Sequence, residues 1–142
     1  MTKNLILIGL FLIFGLGLQT TSAQQNKINK IRSAPLHSGE SRTYEAPYKN
    51  MVKYAREATT EAGLSIESSE KIDDATYMII GKAKASAWSW GELVRVVLID
   101  NADKVTVRVY SKRAIKINVT AKGNYTNTIL SNIEAKIDFE TE

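Results

Sequence analysis

One histidine, His37, and no cysteine occur among the 142 residues. A histidine acts as a general acid or base only beside a positioned partner, and zinc needs three or four nitrogen, sulfur or carboxylate ligands. His37 stands between Pro35 and Gly39 with no second histidine to share a site, so it reads as a solvated loop residue. Carboxylates cluster twice, at Asp73-Asp74 and at Asp100 with Asp103. A calcium loop needs oxygen ligands at alternating positions ending in glutamate, and Asp100-Asn101-Ala102-Asp103-Lys104 lacks that spacing. Both clusters fit turns, because Asp and Asn side chains bond nearby backbone groups. There is no Gly-x-Ser-x-Gly and no glycine-rich phosphate loop. With no catalytic constellation in view, the expectation is a protein that is not an enzyme and takes no metal or cofactor.

Two groups of residues are better suited to binding. Trp88 and Trp90, next to Gly91, are two apart and share one face of an extended segment. At a hairpin tip they can anchor a partner or a membrane interface; the ordinary alternative is that they cap the core, since large apolar side chains bury. The second group is Lys82, Lys84, Arg95, Arg108 and Lys116; alternation puts Lys82 and Lys84 opposite the small residues of their strand, and Arg108 and Lys116 opposite the valine and isoleucine stripes of theirs. Together they would give the outer face of a sheet a positive field towards an anionic lipid or glycan surface, or towards an envelope protein. The competing reading is a solvated sheet face whose lysines discourage edge pairing. A different function is a carrier for a small molecule or lipid, with a cavity between helices and sheet lined by Tyr48, Met51, Tyr77 and Ile79.

The elements that must position these groups are legible from periodicity. Ser41–Glu45 alternates weakly, as an edge strand would. From Pro47 to Ala62, Tyr48, Met51, Val52, Ala55, Ala58, Thr59 and Ala62 fall on one helical face. Proline suits the helix start, and Gly63 suits its left-handed exit. Period-two alternation then marks strands at 64–68, 76–87, 104–111 and 114–120, and 93–99, apolar on both faces apart from Arg95, reads as a strand buried on both sides. Residues 70–75 read as a turn. Gly81, Ala83 and Ala85 share one face of their strand and would let a helix lie close. A last helix carries Ile129, Leu130, Ile133 and Ile137 on one face. The expected fold is α+β: an antiparallel sheet of four to five strands with two helices packed on one face, because each helix has a single apolar stripe to bury.

Before this domain, Lys3 precedes the uncharged run Leu5–Leu18, and Thr21-Ser22-Ala23 follows as a small-x-small exit. Charged start, apolar core and small exit are the parts of a secretory signal. The 14-residue run is short of the roughly 20 that a spanning helix needs, so residues 1–23 are expected to be cleaved after Ala23. Residues 24–39 read as a flexible leader and 40–142 as one domain. Without cysteine neither a disulfide nor a cysteine-linked lipid anchor is available, and a cysteine-free exported domain points to a bacterial periplasm or exterior. Cleavage would leave 119 residues with 18 basic and 15 acidic side chains, net +3. That is far from the dense basic footprint of a nucleic-acid binder, and no nucleic-acid partner is expected.

From Arg42 to Ile137 the chain resembles an uncharacterised bacterial family of small exported envelope proteins with a strand–helix–strands–helix plan. The residues carrying the likeness are Glu61-Ala62-Gly63-Leu64, Val105-Thr106-Val107-Arg108-Val109, and Ile129-Leu130 with Ile133. Such families often include lipoproteins, from which this sequence departs by lacking cysteine. The resemblance implies a fold and an envelope location, and no activity.

Overall fold

A computed structural model of the protein describes residues 17–84, 91–112 and 125–141. In chain order they form α1 (Gly17–Arg32), β1 (Glu40–Tyr44), α2 (Tyr48–Glu61), β2 (Leu64–Asp73), β3 (Thr76–Ala83), β4 (Leu93–Asp100), β5 (Val105–Lys112) and α3 (Tyr125–Thr141). The strands make one sheet in the order β1-β5-β4-β3-β2, antiparallel at every pairing. Strands β2 to β5 form a meander, and β1 closes the far edge against β5. The expected α+β class, the antiparallel sheet and the edge position of the first strand are all present. The expected strand over 114–120 lies outside the described residues, as does most of the proposed signal segment.

Helices α2 and α3 cover the same face of the sheet, as their single apolar stripes require. Met51, Ala55 and Ala58 of α2 and Ile129, Leu130 and Ile133 of α3 are fully buried. They pack with Ile79, Val94, Val96, Leu98 and Val107 in one apolar cluster. Gly63 ends α2 at φ +87°, in the left-handed region where a side chain would be strained. The small residues of β3 do what their spacing implied. A Cβ added to Gly81 would lie 2.9 Å from Thr59 Cγ2 and 3.1 Å from Leu64 Cδ1, so α2 rests against the backbone there.

The opposite face is not bare. Residues 24–39, expected as a flexible leader, contain a helix: α1 runs through Ala23 and continues to Arg32. Ile28 and Ile31 dock it on Met78, Ile80, Leu93 and Val97 in a second apolar cluster. Two isoleucines three residues apart supply one turn of contact, which leaves no periodic signal over a longer window. Strand β2 also runs past its expected end at Ser68, through the residues read as a turn. Pairing with β3 holds it, with irregularities between Ile66 and Ser68 and between Lys71 and Asp73. The turn shrinks to Asp74-Ala75, because Asp73 pairs directly with Thr76.

The Gly81 contact supplies a stability test. Gly81→Val is expected to lower unfolding stability by about 1–3 kcal/mol, the usual cost of overpacking a filled core. Urea titration followed by circular dichroism measures it, and an unchanged midpoint would show that α2 can shift without loss.

Candidate functional site

The cationic group picked out by sequence divides into structural and surface members. Arg95 is 0 % exposed. It sits on β4 between Val94 and Val96, and its side chain passes to the α1 side of the sheet. Its Nη1 donates to the carbonyl oxygens of Ile31 at 3.1 Å and Arg32 at 3.3 Å, and also to that of Ala34; its Nη2 donates to Pro35 at 2.8 Å. The Tyr110 ring lies 5.5 Å from the guanidinium carbon. A helix ends with carbonyls that have no partner within it, and its C-terminus carries a partial negative charge. Arg95 answers both needs from another element, so it caps α1 rather than facing solvent. Burial pushes its pKa below the ordinary value, while Tyr110 opposes the shift. An arginine starts high enough to stay charged all the same. The expectation of an open cationic face thus fails at Arg95.

Arg108 is also committed in part. It is half-buried, and its Nη1 donates to the carbonyl oxygen of His37 at 3.3 Å. His37 therefore contributes backbone, with its residue exposed as expected. Among the described residues no group of three or more His, Cys, Asp or Glu is placed to hold a metal. The aspartate clusters perform turn chemistry: Ala75 N–H donates to Asp73 Oδ1 at 2.9 Å and Ala102 N–H to Asp100 Oδ1 at 3.1 Å. Asp74 holds Lys71 at 2.7 Å, and that contact lowers its pKa.

Of the remaining cations, Lys82 and Lys84 lie at one end of the sheet. Lys82 of β3 and Lys112 of β5 both pair with Leu93 of β4, so the three share one row across the α1 side. Lys84 follows the end of β3 and is exposed, as is Lys112; Lys82 is half-buried. None of the three joins an ion pair among the described residues. Trp88, Trp90 and Lys116 lie outside the described residues, but their place in the chain is informative. The segments 84–91 and 112–124 leave from this same row. They carry Lys84, Lys112, Arg113, Lys116 and Lys122 with no acidic residue. With Lys82 that makes six positive charges where the whole chain has a net +4, so the remainder of the protein is net negative by two. A mild average charge thus conceals an uneven one along the sequence.

Of the residues proposed to line a carrier cavity, Met51 and Ile79 are fully buried within the packed cluster. Tyr48 and Tyr77 pack against its rim. Tyr77 shares a hydrogen bond of 2.9 Å with Ser69, whereas the Tyr48 hydroxyl is buried without a described partner. Another polar cluster was not visible in sequence, because it joins residues about 90 apart. Arg42 of β1 reaches Glu134 of α3 at 2.6 Å, and the Tyr44 hydroxyl donates to the same carboxylate at 3.4 Å. Burial first, then the Glu134 charge, raises the Tyr44 pKa to about 12. A phenol held neutral and a carboxylate held by arginine form a clamp between β1 and α3 rather than an acid–base pair.

No protein-family model matches the chain, and a search of curated proteins finds no significant relative. Among the described residues no helix is long and apolar enough to cross a membrane.

Two measurements test these assignments. Arg95→Met should lower stability by about 3 kcal/mol in urea unfolding, since the carbonyls of Arg32 and Ala34 lose their described donor, whereas Ile31 and Pro35 keep the N–H groups of Ala34 and Ser38. Arg95→Lys should recover only part of that loss, because one ammonium cannot reproduce a planar fork that reaches four carbonyls. Equal stability of Arg95→Met and wild type would remove the capping role. For Tyr44, a folded pKa raised above the unfolded one gives stability that is complete below about pH 10. That stability is lost as pH rises towards about 12. Ultraviolet titration of Glu134→Gln should show Tyr44 ionising at lower pH than in wild type; an unmoved titration would contradict the clamp.

Proposed function

We propose that this chain is an exported, non-enzymatic module that binds an anionic lipid surface of the cell envelope through the end of the sheet bearing Lys82, Lys84 and Lys112. The single observation carrying the reading is the charge segregation at that row. Six cations and no carboxylate occupy Lys82 and the two chain segments leaving it, while the rest of the chain is net negative. The same segments bring Trp88 and Trp90 with Ile115, Ile117 and Val119. Cations beside tryptophan and branched apolar residues are the composition that settles at a headgroup–acyl boundary. Each lysine or arginine near an anionic surface adds about 1 kcal/mol of attraction, screened within a Debye length. Export is supported by the charged start, apolar core and small-x-small exit of residues 1–23. Cleavage after Ala23 would retain Ile28 and Ile31, so the outer face would keep its cover.

The test uses the chain from Gln24 to Glu142 with vesicles of phosphatidylcholine, alone or with phosphatidylglycerol. Binding is expected only to the anionic vesicles, with a blue shift of tryptophan emission and weakening as salt rises. Changing Lys82, Lys84 and Lys112 together to Gln should weaken binding by about a hundredfold, three charges at about 1 kcal/mol each. Equal binding to neutral vesicles, or tryptophan emission that never shifts, would refute the proposal.

A further inference from the structure

The other face of the sheet carries a second cationic feature of different shape. A groove of about 540 Å³ runs between α2 and the edge strand β2. Val52 of α2 and Ile66 of β2 form its apolar part, and Lys49, Lys53, Arg56 and Thr60 line its helical side. The spacing from 49 to 53, 56 and 60 puts those four on one helical stripe. Lys49, Lys53 and Arg56 are exposed and join no ion pair among the described residues. The two glutamates on the same lining, Glu57 and Glu61, are held from α3 by Lys136 at 3.3 and 2.7 Å. One ammonium answers one of these two charges, so the groove with Lys136 carries four positive and two negative side chains, a net +2.

Strand β2 pairs with β3 on one side only. In an antiparallel strand, alternate residues turn their N–H and C=O groups away from the partner, and an edge presents them as a template for a further strand. The two irregularities in β2 fall between Ile66 and Ser68 and between Lys71 and Asp73, so Ser68 to Lys71 keeps regular pairing. An extended peptide laid on an edge strand takes affinity from main-chain hydrogen bonds and selectivity from side-chain pockets. Here the wall facing the edge is a helix bearing cations around an apolar floor. We propose that the α2–β2 groove docks an extended acidic segment of a partner protein, which adds to the edge of β2 as a sixth strand. Its apolar residues cover Val52 and Ile66, and its carboxylates meet Lys49, Lys53 and Arg56. Charge complementarity selects this occupant: a basic segment would face three like charges, and an anionic membrane is too flat to follow a groove floor. The inference is independent of the lipid-binding reading, since Lys82 and Lys112 lie on the opposite side of the sheet.

The test titrates residues 24–142 with a labelled, capped heptapeptide of alternating acidic residues and valine. Two controls replace its acids by lysine or its central valine by proline, which removes an amide donor. The acidic peptide is expected to bind and to slow amide hydrogen exchange within 64–71, and the two controls are not. Lys53→Glu combined with Arg56→Glu should weaken binding at least tenfold with an unchanged melting temperature. Lys82→Gln with Lys84→Gln should leave it unaltered. No binding, binding that tolerates the proline, or undiminished binding by the doubly reversed variant overturns the proposal. Protection of 64–71 by anionic vesicles rather than by the peptide overturns it as well and assigns the cations to lipid.

Discussion

A buried positive charge, with no buried carboxylate to match it among the described residues, sets the organisation of this protein. Removing a guanidinium from water costs several kcal/mol even after relaxation. Arg95 recovers this from the carbonyls of Ile31 and Arg32 at the end of α1, whose aligned dipoles add a partial negative charge, and from those of Ala34 and Pro35 just beyond it. The arrangement binds both parties. Helix α1 holds its place on the sheet through this end and through Ile28 and Ile31, and a helix of such modest length has little stability of its own in water. Arg95 in turn can sit in the middle of a buried strand only because α1 stops above it. Without α1, Met78, Ile80, Leu93 and Val97 would form an open apolar patch beside an uncompensated charge. The second core cluster and the cap therefore stand or fall together.

The same chemistry explains how the basic residues are shared out. Arginine presents a planar fork that matches carbonyls and carboxylates, whereas lysine is a strongly hydrated point charge on a flexible stem. Arg32 ties α1 to Glu70 of β2, Arg42 ties β1 to Glu134 of α3, Arg95 ends α1, and Arg108 holds the chain at His37. Each joins two elements distant in sequence. Most lysines stay outward, with Lys136 between Glu57 and Glu61 the chief exception. Among the described residues, Lys82, Lys84 and Lys112 at one end of the sheet, and Lys49, Lys53 and Arg56 above the groove, join no ion pair. A mild net charge thus leaves two cationic surfaces on opposite sides of the sheet.

Much of the fold was legible because its elements are simple and periodic. The α2 stripe with Gly63 beyond it, the valines of β5 and the isoleucines of α3 each announce an element and the face it buries. Gly81 even announced the close approach of α2. Three features escaped for physical reasons. Helix α1 contributes only one turn of contact, so Ile28 and Ile31 were diluted by polar neighbours. Strand β2 continues through Ser68-Ser69-Glu70-Lys71, whose polarity suits an edge and whose strand state comes from pairing with β3. Arg95 was the hardest. An isolated charge in an apolar strand has two physical solutions, turning to water or finding a buried partner. Its partner was main chain from a segment that looked structureless.

The course of α1 also bears on how export and folding would be ordered. Signal peptidase acts on an exposed, extended stretch, and Thr21 to Ala23 lie within α1 in the folded chain. Cutting after Ala23 therefore fits a chain whose α1 has not yet docked. Residues 24–32, left by such a cut, are too few to hold a helix alone. They become helical when Ile28 and Ile31 meet the sheet and Arg95 receives their carbonyls. The docking groups described, Ile28, Ile31 and the carbonyls that Arg95 holds, all lie downstream of Ala23, so such a cut would leave these contacts of α1 with the sheet in place.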